Sequence, residues 1–149
     1  WDVRGRDYFD FPNKYYCEDI GLRNARIGFR QQEMTHIMEN IIYNELRMRG
    51  YHVDVGMVET WTTTAQNKTM RLPLEIDFVV NKGAERIYIQ SAYHMTSEDK
   101  ERKEKRSLLN VNDNFRKIVI VDDDIKRKTD EQGIVTISLL DFLLDQNSI

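Results

Sequence analysis

Apolar residues recur at three- and four-residue intervals in one early stretch of the chain. They are Met34, Ile37, Met38, Ile41, Ile42 and Leu46. This spacing places the side chains on one stripe of a helix surface, so it predicts an α-helix over residues 31–49. Gly50 follows directly, and glycine is suited to the left-handed conformation that often ends a helix.

After this helix, three stretches show the alternation of apolar and polar residues that is typical of half-buried strands. They cover residues 51–58, 74–80 and 86–93. The last two are separated by a short turn at 81–83, which favours a hairpin. We therefore predict a meander of three strands, with a polar loop at 62–69.

The chain ahead of the helix is less regular. Residues 14–19 are aromatic and strand-like, and residues 22–30 are typical of a turn or short helical segment ending near Gly28. Phenylalanines alternate with aspartate at 9–11, which allows a short extended piece. The chain opens on Trp1 rather than on methionine, so we expect either a piece of a longer protein or a chain trimmed of a tag. Residues 1–30 are predicted to be an N-terminal extension.

The remainder of the chain predicts a helix, two strands and a final helix. Their ranges are 97–109, 117–121, 133–137 and 139–145, with a charged loop at 122–132. Thr96 or Ser97 can cap the first of these helices, and Ser138 can cap the second. The whole order favours one α/β domain over residues 1–149, with a mixed sheet flanked by helices.

Composition narrows the class of protein. Cys17 is the only cysteine of 149 residues, which excludes an internal disulfide and suits a reducing cytosol. No apolar run approaches the roughly 20 residues of a membrane helix, so we expect a cytoplasmic protein without a membrane partner. The net charge of −3 gives little attraction to DNA. The sequence has no G-x-x-x-x-G-K-[ST] loop, so this chain is not itself an ATP-binding domain.

Three polar residues stand out as candidate site residues. Glu39 lies on the predicted first helix, Asp77 lies in mid-strand between apolar neighbours, and Gln90 lies on the next strand of the hairpin. Asp77 and Gln90 are expected to be cross-strand neighbours, and a helix packed on the meander can bring Glu39 to the same end. Carboxylate and amide oxygens suit Mg²⁺ or Mn²⁺, which could activate water for attack on a phosphodiester.

Each candidate also has an ordinary structural interpretation. Glu39 can be a carboxylate at the rim of the apolar stripe that pairs with His36. Asp77 can face solvent from a half-exposed strand, although strand interiors disfavour aspartate. Gln90 can be a polar residue on an open face of the sheet. The sequence leaves both interpretations open for these residues.

Two other charged features are predicted to be structural. Glu45 falls near the middle of the apolar stripe, where an unpaired carboxylate is unfavourable, so we expect an ion pair with Arg49 at i+4. The basic run at 100–106 is interleaved with glutamates. A solvated helix face is favoured there over a surface that binds phosphates.

Several segments together carry a family resemblance. They are Lys14-Tyr15-Tyr16-x-x-Asp19-x-Gly21-Leu22-Arg23-Asn24, Glu39-Asn40-x-x-x-x-Glu45-Leu46-x-x-Arg49-Gly50-Tyr51, Glu75-Ile76-Asp77-Phe78-Val79, Ile89-Gln90-x-x-Tyr93, Asp113-Asn114-Phe115-x-Lys117 and Asp141-Phe142-Leu143-Leu144. In this order they resemble PD-(D/E)XK nucleases, and more narrowly the C-terminal domain of unknown function of archaeal-type and Bacteroidetes AAA-family ATPases. The resemblance implies a restriction-endonuclease-like αβββαβ core. It also implies that ATP binds only to a missing ATPase domain, which residues 1–30 would join and which would be a partner.

The chain departs from the nuclease pattern at its most reactive point. The nuclease family has Glu-x-Lys where this chain has Gln90-Ser91-Ala92. Alanine can neither position water nor stabilise developing charge. We therefore favour a degenerate, non-catalytic module for recognition or assembly, with DNA as a candidate ligand. Two alternatives stay open: a Mg²⁺-dependent DNA nuclease that uses Glu39, Asp77 and Gln90, and a structural domain that dimerises or docks.

Overall fold

A mixed β-sheet organises the protein in this computed structural model, which describes residues 13–30, 33–63, 67 and 69–149. The helices of the described residues are α1 (Ile20–Arg26), α2 (Met34–Met48), α3 (Glu98–Leu109) and α4 (Leu139–Leu144). The strands are β1 (His52–Thr63), β2 (Thr69–Lys82), β3 (Glu85–Ala92), β4 (Arg116–Val121), β5 (Lys128–Thr129) and β6 (Ile134–Ser138). The extended piece predicted at 9–11 lies outside the described residues.

The sheet formed by the described residues has six strands in the order β1-β2-β3-β4-β6-β5. The meander β1-β2-β3 is antiparallel, as the sequence predicts. The pairs β3-β4 and β4-β6 are parallel, and β5 adds an antiparallel edge. The predicted α/β class, with a mixed sheet flanked by helices, is confirmed. The order from α2 to β4 is also the αβββαβ order expected from the sequence.

Side chains alternate between the two faces of β3 and fill two separate cores. Ile87 and Ile89 belong to the cluster that contains the apolar stripe of α2 and Phe142 of α4. Tyr88 and Ala92 belong to the cluster that contains Leu108 of α3. Helices therefore cover both faces of the sheet, which explains why β4 is apolar along its whole inner length. None of the helices in the described ranges is both long enough and apolar enough to span a membrane.

The predicted end of the first long helix is confirmed in detail. Gly50 has φ +82°, and the amide of Tyr51 donates to the carbonyl of Leu46 at 3.1 Å, which satisfies a carbonyl of the last helical turn. The predicted ion pair is also present, with Arg49 Nε 2.8 Å from Glu45 Oε1. The guanidinium lies 4.4 Å from the centre of the Phe142 ring. This arrangement ties α2 to α4.

The two long strands correct the predicted loop and turn. β1 runs to Thr63 and β2 begins at Thr69, so the loop predicted at 62–69 is wrong at both ends. Threonine favours strands, and the residues at the end of β1 pair with those at the start of β2. Lys82 pairs with Glu85, so the turn lies at 83–84 rather than at 81–83.

The strand-like interpretation of residues 14–19 is wrong. No backbone ladder in the described residues includes this segment, and α1 follows it directly. Asp19 caps α1 by accepting a hydrogen bond from the Leu22 amide at 2.8 Å. The predicted loop at 122–132 is likewise interrupted, because residues 128–129 add the short edge strand β5.

Helix α3 has the predicted cap and one unexpected buried charge. The Ser97 hydroxyl accepts from the Lys100 amide at 3.3 Å. Most of the basic run is exposed, but Lys105 is 6% exposed, and its ammonium contacts Glu101 at 2.6 Å and Asp130 at 2.7 Å. The predicted solvated face is therefore wrong at Lys105, because this lysine joins α3 to the turn between β5 and β6.

Candidate functional site

A β-bulge in β2 determines where Asp77 lies. Asp54 pairs with Val79 while Gly56 pairs with Ile76, so two residues of β2 stand opposite one residue of β1. Asp77 is one of these two residues. A bulge interrupts the regular alternation of side chains and redirects one of them. A Cβ at Gly56 would lie 2.6 Å from Val79 Cγ2, so the close approach of the strands requires glycine.

Asp77 is buried, and its carboxylate accepts a hydrogen bond from a backbone amide near the end of β3. Its Oδ2 accepts hydrogen bonds from Gln90 Nε2 and from the Ser91 amide, each at 2.8 Å. The side chain is too buried for the solvent-facing interpretation, with the residue 8% exposed. Burial raises the pKa of Asp77 to about 6, although the Ser91 amide and the charge of Lys14 act in the opposite direction.

Glu39 projects from α2 toward the same point and uses one oxygen for two donors. Its Oε1 accepts from the Tyr16 hydroxyl at 2.6 Å and from Lys14 Nζ at 2.8 Å. The alternative interpretation, in which Glu39 pairs with His36, is wrong, because His36 contacts Glu33 instead. Burial and the hydrogen bond to Glu39 raise the pKa of Tyr16, so this phenol stays protonated as a donor.

Lys14 lies between the carboxylates of two different elements. Its ammonium is 2.8 Å from Glu39 Oε1 and 3.5 Å from Asp77 Oδ1, and it also contacts Glu75 of β2. Burial by itself would lower the pKa of Lys14, but the hydrogen bonds to Glu39 and Glu75, together with the charges of Asp77 and Glu39, outweigh it and raise that pKa. The ammonium therefore stays charged. We call Glu39, Glu75 and Asp77 the acid centre.

Gln90 and Ala92 lie on the face of β3 that α3 covers. The Ser107 hydroxyl of α3 donates to Gln90 Oε1 at 3.1 Å, while the amide nitrogen of Gln90 donates to Asp77. Ala92 is 4% exposed within the apolar cluster beneath α3.

The structure links the three predicted residues in a chain of contacts. Lys14 joins Glu39 to Asp77, and Asp77 joins Gln90. These contacts do not fit the predicted Mg²⁺ site, because an ammonium already lies between the carboxylates and the Gln90 oxygen points to Ser107. Among the described residues, no group of three or more His, Cys, Asp or Glu side chains is arranged to hold a metal ion.

Sequence reasoning missed Lys14, Tyr16 and Glu75 as members of this site. Glu39, Glu75 and the two residues of the N-terminal segment line one open cleft with His36 and Asp77. Glu75 lies two residues before Asp77, which was a usable signal. Nothing in the local pattern around Lys14 and Tyr16 indicates that they reach α2.

Comparison with known proteins places the chain in a family. The family described as "Domain of unknown function (DUF4143)" matches residues 34–142. The chain belongs to this DUF4143 family. The match includes Glu39, Asp77 and Gln90, while Lys14 and Tyr16 lie before it.

One relative is considerably longer than this chain. An uncharacterized protein of Haemophilus influenzae (strain Rd) is 33% identical over 144 residues. These residues are 97% of this chain and 32% of the relative. The chain therefore spans about a third of the length of the curated relative that it matches.

Proposed function

We propose that this DUF4143 domain is a degenerate nuclease-like module that does not cleave nucleic acid and serves assembly within a longer protein. The observation that carries the proposal is the end of β3. The side-chain amide of Gln90 donates to Asp77 and accepts from Ser107, and Ala92 packs in an apolar cluster. The two positions that hold acid and lysine in PD-(D/E)XK nucleases therefore supply neither.

The chemistry of phosphodiester hydrolysis supports the loss of cleavage. The reaction needs an activated water molecule and positive charge near the developing oxyanion. Lys14 is a fixed cation, but its raised pKa prevents it from accepting a proton from water near neutral pH. The three carboxylates beside it repel a phosphate group, so the cleft disfavours a nucleic-acid backbone.

The length of the relative supports a role in assembly. The region that matches this chain is a third of the H. influenzae protein, so the domain there adjoins a larger remainder. Resemblance to ATPase-linked C-terminal domains makes an ATPase part the proposed partner. The net charge of −3 agrees with a protein partner better than with DNA.

One observation favours a Mg²⁺-dependent nuclease as the second candidate. The ammonium of Lys14 lies within 3.5 Å of both Glu39 and Asp77. A lysine from the N-terminal segment would then take the role of the lysine that PD-(D/E)XK nucleases have at the position of Ala92. In that case Lys14 would stabilise charge in the transition state, and cleavage would depend on Asp77.

A plasmid assay distinguishes the two candidates. We expect purified protein with Mn²⁺ or Mg²⁺ to leave supercoiled DNA intact, because the ammonium of Lys14 already lies between the carboxylates and Ala92 supplies no cation. Asp77→Ala tests the site, and Glu59→Ala is the control, since Glu59 is an exposed carboxylate of β1. Nicking that disappears in Asp77→Ala and persists in Glu59→Ala would establish the nuclease instead.

Binding is measured in the same preparation. A mobility shift with duplex DNA at low salt is expected to show no complex. A complex that weakens steeply with added salt would point to recognition of nucleic acid rather than assembly.

A further inference from the structure

The segment 13–19 is held on α2 by side chains rather than by a backbone ladder. The Cys17 amide donates to Asn40 Oδ1 at 2.9 Å, and Asn40 Nδ2 donates back to the Cys17 carbonyl at 2.8 Å. Asn44 Nδ2 adds a bond to the same carbonyl at 3.0 Å. Asn40 is buried, so this two-point contact holds one residue of an otherwise irregular segment in a single register.

Aromatic packing continues the attachment toward the acid centre. The Tyr16 ring stacks on Tyr43 of α2, with centroids 4.1 Å apart and planes 13° from parallel. The same ring lies 6.1 Å from Phe78 of β2. Its hydroxyl then reaches Glu39. The contacts of Cys17 and Tyr16 thus lead along α2 toward the acid centre.

Lys14 completes this series inside the acid centre. Its side chain is 26% exposed, and its ammonium contacts carboxylates of both α2 and β2. Charge-assisted hydrogen bonds of this kind are about twice as strong as neutral ones. The carboxylates thus have a cation supplied by the chain itself.

We infer that the acid centre is a lysine clasp: it binds the ammonium of Lys14 in the place of a metal ion and thereby anchors segment 13–19 on α2 and β2. This inference rests on the proposed non-catalytic function and says what the centre does instead of chemistry. The clasp fixes the position of segment 13–19, which precedes the region matched by the family, against α2 and β2.

Hydrogen exchange at Cys17 tests the clasp. We expect Lys14→Met to speed exchange in the peptide that contains Cys17 by about tenfold, the change that corresponds to loss of roughly one charge-assisted hydrogen bond. Lys103→Met is the matched control, because Lys103 is an exposed lysine of α3 and its loss should change nothing. Wild-type exchange rates in Lys14→Met would overturn the inference.

A measurement on the unmodified protein covers the case in which Lys14→Met fails to fold. Millimolar Mn²⁺ is expected to leave exchange at Cys17 unchanged, because the clasp holds an ammonium. Faster exchange at Cys17 with Mn²⁺ bound would show a metal site that displaces Lys14, and would overturn the clasp.

The clasp and the proposed function can fail separately. Faster exchange in Lys14→Met together with DNA nicking by the wild type would support the clasp and overturn the non-catalytic function. Unchanged exchange together with intact DNA would overturn the clasp and leave the proposed function standing.

Discussion

At the scale of single residues, burial and pairing act in opposite directions on the acid centre. Asp77 keeps a pKa of about 6 because its desolvation outweighs the Ser91 amide and the nearby ammonium. At Lys14 pairing outweighs burial, because the hydrogen bonds to Glu39 and Glu75 and the charges of the neighbouring carboxylates together raise its pKa. Near neutral pH the ammonium is therefore charged, while Asp77 is close to its titration range.

The raised pKa of Asp77 predicts a pH dependence of stability. The folded pKa of about 6 exceeds the ordinary value of 3.8, so the folded state holds this proton more tightly than the unfolded chain. The contribution of Asp77 is then fully present below about pH 4 and is lost as pH rises to 6 and above. Relative to Asp77→Asn, which cannot ionise, the wild type should lose about 3 kcal/mol of unfolding free energy across this range.

Urea unfolding of both proteins at several pH values measures that difference. The Asp77→Asn variant is the reference for the wild type, because the other titrating groups are common to both chains. A difference that stays constant with pH, or a wild type that gains stability as pH rises, would contradict the assignment. The second result would mean that pairing with Lys14 outweighs the burial of Asp77.

At the scale of elements, the bulge in β2 and Gly56, which lies beside it on β1, work together. Asp77 reaches both Lys14 and the end of β3 because β2 has an extra residue at this point. Gly56 allows the neighbouring strand to approach Val79 and Ile76. The sequence shows the glycine but not its reason, since a bulge depends on the register between two strands.

Gly56→Ala is expected to destabilise the domain. An added Cβ would lie 2.6 Å from Val79 Cγ2 and 3.1 Å from Ile76 Cβ, so the strands must separate around the bulge. We expect a loss of about 1–3 kcal/mol of unfolding free energy. Thr63→Ala, at an exposed position of the same strand, is the control. Equal stability of the two variants in thermal or urea unfolding would show that the bulge does not need glycine.

Elements with a strong period were predictable and the irregular ones were not. Local sequence determines three of these features, and the structure confirms them: the apolar stripe of α2, the apolar run of β4 and the serine caps of α3 and α4. Segment 14–19 has strand-like composition, but it is held by Asn40 and Asn44 rather than by a strand. Contacts from residues more than twenty positions away leave no local periodic signal.

At the scale of the whole molecule, the same limit applies to the site. The sequence predicted that Glu39, Asp77 and Gln90 come close, because the element order brings α2 and the hairpin together. It did not predict that the cation between them is Lys14, which lies before the region matched by the family. The carboxylates therefore hold the N-terminal segment through Lys14, in a domain whose match covers about a third of a longer relative.

A crystal structure grown with Mn²⁺ and measured at the manganese absorption edge tests this account most directly. We predict that Lys14 Nζ remains within hydrogen-bond distance of Glu39 and Asp77 and that no anomalous peak appears between them. An anomalous peak that bridges Glu39 and Asp77, with Lys14 displaced from the acid centre, would contradict it.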